Sequence, residues 1–173
     1  MNMTNFELRK WQTSDLDSLV KHANNINVAR FLTNQFPHPY NRLDGERFLE
    51  IAMSHNPAKI FAIVVEGEAV GAIGVFPQDD IHCLNAEMGY WLSETCWGQG
   101  IVTEAIGRMI EYGFKTFPVA RIFARPFGNN PASQRVLEKA GFHLEARFDK
   151  NLIKNGELLD ELVYAIRKND DAE

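Results

Sequence analysis

The sequence contains only two cysteines, no long apolar run and no block of basic residues. Cys83 and Cys96 lack CxxC spacing and a neighbouring histidine cluster, so the sequence predicts no metal site and no disulfide framework. The longest apolar stretches, such as residues 60–65, are far shorter than a membrane span. The first residues, MNMTNFE, lack the charged start and apolar core of a signal peptide. We therefore expect reduced thiols, no membrane partner and a cytoplasmic location.

The charge balance is mildly acidic, with a formal net charge of −5 at pH 7. Proteins that bind nucleic acids usually concentrate Lys and Arg on one face, and this sequence has no such cluster. We therefore expect no nucleic-acid partner. An acidic surface would favour a cationic acceptor such as an amine, but a charge excess of this size is more typical of the ordinary surface charge of a soluble domain.

The length of 173 residues and the apolar content of 45% predict a single domain, residues 1–173, with one sizeable core. The hydrophobic periodicity predicts an α/β fold in which helices flank a central mixed, mostly antiparallel sheet. The polar residues 169–173 predict a frayed tail. Strands are predicted at 6–11, 60–65, 69–76, 86–92, 121–126, 143–154 and 158–167, and helices at 16–23, 48–53, 102–117 and 132–140.

A glycine-containing turn lies between the strand at 86–92 and the helix at 102–117. Its residues are Trp97-Gly98-Gln99-Gly100, and the two glycines allow backbone N–H groups to approach a ligand closely. The start of a helix favours an anion, so a diphosphate fits this position. For two glycines alone, a plain tight turn is the preferred interpretation, ahead of phosphate binding. The sequence has neither the GK[ST] ending of a Walker loop nor the GxGxxG pattern of a dinucleotide fold here.

A second motif, Asn130-x-x-Ser133, precedes the short helix that ends at Gly141. Capping of the helix N-terminus by these two side chains explains the motif without any ligand.

The two motifs together resemble the GNAT N-acetyltransferase superfamily, and within it the RimJ/RimL-type branch. The segments that carry the resemblance are GYWLSETCWGQGIVTEA at 89–105 and NNPASQRVLEKAGF at 129–142. The resemblance implies the GNAT (acyl-CoA N-acyltransferase) fold, acetyl-CoA as cosubstrate and an amine as acceptor. A protein N-terminal α-amine leads among the acceptors, and a small amine such as a polyamine, amino acid or antibiotic is the alternative. A non-catalytic acyl-CoA-binding sensor and a homodimer are also compatible with the resemblance.

The resemblance also assigns residues to the coenzyme. Two positions depart from the family pattern [QR]xxGx[GA], because Trp97 stands where Gln or Arg is usual and Val102 where a small residue is usual. The pyrophosphate is expected on main-chain N–H groups of the turn and pantetheine on backbone groups of the preceding strand. The expected coenzyme-binding residues are Trp91, Leu92, Trp97, Gly98, Gln99, Gly100, Ile101, Val102, Thr103, Asn130 and Ser133.

Two side chains are candidates for the chemistry. Glu87 is the candidate base, by analogy with acidic residues on this strand in relatives, and a purely structural carboxylate is an equal alternative. The tyrosine that many members use as a general acid is replaced by Leu137. Ser133 could instead hydrogen-bond the departing thiolate, whose pKa of about 8.5 demands little protonation.

Overall fold

The computed structural model describes residues 5–169, and these form two compact units. The N-terminal unit comprises the described residues up to Gly74 together with Tyr90–Ala105. The C-terminal unit comprises Val75–Gly89 and the described residues from Ile106 onward. Most of the predicted tail, residues 170–173, lies outside the described residues.

Residues 5–169 contain five α-helices and seven β-strands, with short 3-10 turns at Thr13–Asp15, Asp80–His82 and Glu94–Cys96. The helices are α1 (Leu16–Ala23), α2 (Ile26–Ala29), α3 (Arg42–Ser54), α4 (Ile101–Thr116) and α5 (Pro131–Lys139). The strands are β1 (Glu7–Lys10), β2 (Ile60–Val65), β3 (Glu68–Pro77), β4 (Asn85–Leu92), β5 (Arg121–Ala124), β6 (His143–Lys154) and β7 (Glu157–Arg167).

The strands form a mixed sheet in the order β1-β2-β3-β4-β5-β7-β6. The β1/β2, β2/β3, β5/β7 and β6/β7 pairs are antiparallel, whereas β4 and β5 are parallel. The parallel register runs from the Asn85–Arg121 pair to the Glu87–Phe123 pair. Because β5 ends at Ala124 and β4 continues to Leu92, the last part of β4 extends beyond this pairing.

The predicted order of elements is confirmed, with one omission. The sequence analysis ends the first helix at residue 23 and predicts no helix directly after it, but α2 begins immediately after Asn25. Asn24 caps the end of α1, and the Asn25 side chain accepts a hydrogen bond from the Asn27 N–H at 2.8 Å, as an N-cap does. β1 is one residue shorter than predicted at each end, and β5 ends two residues before the predicted end.

Helix α4 has the apolar face that its periodicity predicts. Ile101, Ala105, Ile106 and Met109 are almost fully buried, and the glutamates and lysine of the opposite face are intermediate or exposed. None of the helices described between residues 5 and 169 has the length and hydropathy that crossing a bilayer requires.

Candidate active site

The glycine turn has the backbone geometry of an anion-binding loop. Gly98 and Gly100 have φ angles of +74° and +78°, a region that L side chains rarely adopt. A Cβ at either position would meet no other described atom within 4 Å, apart from its chain neighbours, so the space beside the turn is open. The first helical hydrogen bond of α4 runs from Glu104 N to Gly100 O at 3.2 Å.

The N–H groups of Ile101, Val102 and Thr103 therefore precede that first helical bond, and they point out of the helix start together with its positive dipole end. This arrangement fits a diphosphate, because the contacts come from the main chain and no side chain fills the space beside the two glycines. The predicted position of the turn at the start of a helix is confirmed, and its role in binding stays a prediction.

The departure at Trp97 has a structural explanation. The Trp97 indole Nε1–H donates to the Leu92 carbonyl oxygen at 2.9 Å, although 43% of the residue remains exposed. The Gln99 side chain donates to the Thr95 carbonyl at 3.2 Å. Both long side chains thus bond back to the segment that leaves β4, and the turn is held at its start by its own residues.

The end of β4 is buried and tightly packed against β3. Trp91 and Leu92 are 8% and 5% exposed. A Cβ added to Gly71 would lie 2.5 Å from the Trp91 carbonyl oxygen and 3.1 Å from Leu92 Cα, so only glycine fits opposite them. The Leu92 carbonyl oxygen already accepts from Trp97, and the assignment of the Trp91 and Leu92 backbone to pantetheine stays a prediction.

The second motif is a helix cap, as its sequence predicts. The Asn130 Oδ1 accepts from the Ser133 N–H at 3.2 Å, and Pro131 occupies the first turn of α5. The cap uses one lone pair of the amide oxygen, so the two N–H donors of Asn130 stay outside the cap. Ser133 is partly exposed in the first turn of the same helix.

Glu87 is held by a cation that the sequence reasoning missed. Arg125 Nε donates to Glu87 Oε1 at 2.9 Å and Nη2 donates to Oε2 at 3.1 Å, a bidentate ion pair, while Nη1 lies 3.7 Å from Glu161. Hydrogen bonding to Glu87 raises the pKa of Arg125. The register pairs Glu87 with Phe123, two residues before Arg125, so only knowledge of the parallel pairing could have indicated this contact.

The residue at the usual tyrosine position cannot act as an acid. Leu137 is fully buried, with 0% exposure, and belongs to the apolar core of the C-terminal unit. In the same unit the Tyr164 hydroxyl donates to Glu138 Oε1 at 2.9 Å. Burial, followed by this hydrogen bond, raises the pKa of Tyr164. Of the two free cysteines, Cys96 is buried and Cys83 is exposed.

The structure distributes the predicted residues over the two units. The N-terminal unit contains the end of β4 and the turn with the start of α4, residues 91–92 and 97–103. The C-terminal unit contains Glu87, Asn130 and Ser133.

Comparison with known proteins identifies the family. The model of the acetyltransferase (GNAT) domain matches residues 5–143. The probable N-acetyltransferase YjcK of Bacillus subtilis is 38% identical over 102 residues, which are 59% of this chain and 56% of that protein. The ribosomal-protein-serine acetyltransferase of Escherichia coli is 34% identical over 110 residues, 62% of this chain and 60% of that protein. These matches span little more than half the length of both relatives. The uncharacterized N-acetyltransferase p20 of Bacillus licheniformis is 27% identical over 94% of this chain and 93% of that protein.

Solved structures agree with the family in their fold. The microcin C7 self-immunity acetyltransferase MccE, solved with acetyl-CoA and AMP, has a TM-score of 0.81 and 27% identity over 94% of this chain and 92% of its own. The ribosomal L7/L12 acetyltransferase RimL, solved with coenzyme A, has a TM-score of 0.82 over 95% and 94% of the two chains, but its 21% identity supports the fold alone. The predicted mixed sheet flanked by helices is thereby confirmed. The chain belongs to the GNAT acetyltransferase family.

Proposed function

We propose that the protein is a cytoplasmic N-acetyltransferase that transfers an acetyl group from acetyl-CoA to an amine. The observation that carries the proposal is the turn at the start of α4, where Gly98 and Gly100 adopt positive φ beside open space. Gly67 has the same conformation and open surroundings in the β2–β3 turn, but Gly98 and Gly100 lead directly into the N-terminus of α4, whose first N–H groups precede its helical hydrogen bonds and favour an anion. Membership of the GNAT family and the relatives' acetyltransferase names support the same activity.

The coenzyme would be held mainly by the main chain. The N–H groups from Gly98 to Thr103 would bind its pyrophosphate, whereas the predicted contact from the Trp97 N–H is ruled out because that group donates to the Glu94 carbonyl oxygen at 3.2 Å. Backbone groups of Trp91 and Leu92 would bind pantetheine as an added strand does. Asn130 would donate its amide N–H groups to pantetheine, since its cap uses only the oxygen. Acetyl-CoA supplies the acetyl thioester.

The acceptor must lose a proton before its nitrogen can attack. An N-terminal α-amine, with a pKa near 8, is partly neutral at pH 7, whereas a lysine amine near 10.4 is almost wholly protonated. We assign the proton to Glu87, directly or through water, with Arg125 fixing the direction of its carboxylate. Ser133 would hydrogen-bond the sulfur that departs. Because Leu137 offers no acid, the remaining contribution would come from positioning and from backbone N–H donors.

For the acceptor, a protein N-terminal α-amine is our first choice. The ribosomal-protein-serine acetyltransferase among the relatives supports this choice, and so does the smaller demand for deprotonation. A structural neighbour named spermidine N-acetyltransferase keeps small amines as the alternative to be tested. The family match includes parts of both units, which supports our treatment of residues 1–173 as one catalytic domain.

Calorimetry with acetyl-CoA tests the coenzyme site. The Gly100→Trp variant should abolish binding, because its ring fills the open space beside the turn. Gly67→Trp is the matched control, since Gly67 has φ +84° and equally open surroundings but lies in the β2–β3 turn. Absence of binding to the native chain, or equal loss in both variants, would remove the proposal.

A thiol-release assay then separates the acceptors. Coenzyme A release with a short peptide bearing a free N-terminus, and none with spermidine or free amino acids, is the expected result. The opposite selectivity would make the protein a small-amine acetyltransferase. Tight acetyl-CoA binding without release to any amine would favour the sensor instead, for which the buried Leu137 is the structural argument.

A further inference from the structure

The segment between β4 and the glycine turn is held by side chains of the α1–α2 region. This segment, Ser93 and the 3-10 turn Glu94–Cys96, leads directly into Trp97. Three backbone bonds involve it: Ser93 N donates to Val70 O at 2.8 Å, Cys96 N to Ser93 O at 2.9 Å and Trp97 N to Glu94 O at 3.2 Å. Only the first of these ties the segment to another element, so side-chain hydrogen bonds supply its remaining polar contacts with its surroundings.

Glu94 makes the strongest of these contacts. Asn25 Nδ2 donates to Glu94 Oε2 at 2.8 Å, and Asn27 Nδ2 lies 3.1 Å from both carboxylate oxygens. These hydrogen bonds, that from Asn25 first, lower the pKa of Glu94, so the carboxylate is ionised at neutral pH. Hydrogen bonds to a charged acceptor are stronger than those between neutral groups.

His22 makes a second contact, one residue earlier. Its Nδ1 lies 2.9 Å from Ser93 Oγ and its Nε2 lies 2.8 Å from Glu68 Oε2. When His22 is neutral, Nε2–H donates to Glu68 and Nδ1 accepts from the Ser93 hydroxyl. Ser93 is only 4% exposed, and its Oγ is also 3.1 Å from Thr95 Oγ1. The segment is thus bonded at two consecutive residues.

Anchoring from the α1–α2 region adds to the bonds that the Trp97 and Gln99 side chains make to Leu92 and Thr95. Gly98 and Gly100 have no side chains, and a Cβ at either position would meet nothing within 4 Å beyond the chain neighbours, so their position depends on the segments before and after them. Helix α4 fixes the far end, with Ile101 buried. The affinity of such a loop for a phosphate falls when the start of the loop is mobile, because the loop must then lose conformational entropy on binding.

We propose that His22, Asn25 and Asn27 form a polar clamp on Ser93 and Glu94 that positions the glycine turn for the coenzyme. Asn27 and Glu94 are positioning residues in this scheme, which rests on the proposed function of the turn. Nothing in the clamp touches the acceptor chemistry, so the clamp should set the affinity for acetyl-CoA and leave the turnover number unchanged.

A rescue experiment tests the clamp. Asn27→Asp places a carboxylate against Glu94, and we expect the Kd for acetyl-CoA to rise about five- to tenfold at unchanged kcat. In the double variant Asn27→Asp/Glu94→Gln, the amide N–H of residue 94 donates to the carboxylate of residue 27, and the amide oxygen of residue 94 still accepts from Asn25. The Kd for acetyl-CoA should therefore return to within about twofold of the native value. Asn151→Asp is the matched control, because Asn151 donates to Glu161 at 3.3 Å in the C-terminal unit. It creates the same charge conflict there and should leave the Kd unchanged.

The outcomes are distinguishable by melting curves and by Gly100→Trp. If Asn27→Asp does not fold, Asn27→Ala removes the donors without adding charge and repeats the comparison. A native Kd in folded Asn27→Asp, or an equal loss in the single and double variants, would overturn the clamp. Loss of binding in Gly100→Trp together with a native Kd in Asn27→Asp would refute the clamp proposal and leave the proposed coenzyme site standing. Retained binding in Gly100→Trp removes the proposed coenzyme site itself.

Discussion

Replacing Gly71 by alanine should displace the end of β4 and thereby weaken coenzyme binding. The added Cβ would come 2.5 Å from the Trp91 carbonyl oxygen and 3.1 Å from Leu92 Cα. Both are backbone atoms, so no rotation of a side chain can relieve the contact. The strand β4 must therefore move away from β3 at the two residues whose backbone groups we assign to pantetheine.

The magnitude follows from the contact distances. Overpacking a well-packed core costs about 1–3 kcal/mol, and a contact with backbone belongs in the upper part of that range. For a chain of this size, about 1 kcal/mol lowers the Tm by about 2–4 °C. We therefore expect the Tm of Gly71→Ala to fall by about 4–10 °C, with a several-fold weaker affinity for acetyl-CoA in the protein that remains folded.

Gly89→Ala is the matched control, because Gly89 also lies in a strand. Its added Cβ would meet only Phe76 Cε2, at 3.9 Å, which is an ordinary van der Waals distance. This variant should keep or slightly raise the Tm, since alanine loses less backbone entropy than glycine. Thermal melting and acetyl-CoA calorimetry on both variants give the comparison. Equal Tm values for the two, or native affinity in a destabilised Gly71→Ala, would refute the reasoning.

Four further changes have expected outcomes. Leu137→Ala should lower the free energy of unfolding by about 2–5 kcal/mol, because the side chain is fully buried. Denaturant titration measures this change, and a loss below about 1 kcal/mol would contradict the prediction. Burial tends to raise the pKa of Asp15, but the Arg9 hydrogen bonds and the Gln12 N–H outweigh it and lower that pKa. The free energy of unfolding of the native protein should therefore fall as the pH drops below about 3.8. Asp15→Asn should be less stable than the native protein at pH 7, but its free energy of unfolding should change less with pH below about 3.8. Ser133→Ala should lower kcat with unchanged acetyl-CoA affinity, and full turnover would exclude its role at the sulfur. Trp97→Phe should weaken acetyl-CoA binding a few-fold by leaving the Leu92 carbonyl without its indole donor, whereas Trp97→Gln keeps a donor and should bind better than Trp97→Phe.

The sequence predicts the long elements well because their periodicity is strong. Strand β2 has the bounds that its apolar run predicts, and α4 begins and ends within a residue of the predicted helix. Helix α2 was missed because it is a single turn, and such a short segment carries no periodic signal. Its start depends on the Asn25 cap, which lies one residue after the Asn24 cap of α1.

The candidate site likewise contains local features that the sequence indicated and long-range contacts that it did not. The glycine turn and the Asn130 cap are local, since each is made by residues within a few positions of one another, and the sequence indicated both. The Glu87–Arg125 ion pair and the bonds from Asn25 and Asn27 to Glu94 join residues 38, 69 and 67 positions apart. These contacts depend on strand register and on the path of the α1–α2 region, and a single sequence contains no signal for either.

The residues that depart from the family pattern show why such a turn tolerates variation. A coenzyme site made of main-chain N–H groups requires the backbone conformation, and glycine at 98 and 100 supplies it through positive φ. The side chain at 97 has a different task, which is to hold the start of the turn against β4. An indole N–H performs that task through the Leu92 carbonyl, and any residue with a donor of similar reach, such as Gln or Arg, could do the same. Variation at 97 is therefore limited by hydrogen bonding to β4, and variation at 98 and 100 by the backbone itself.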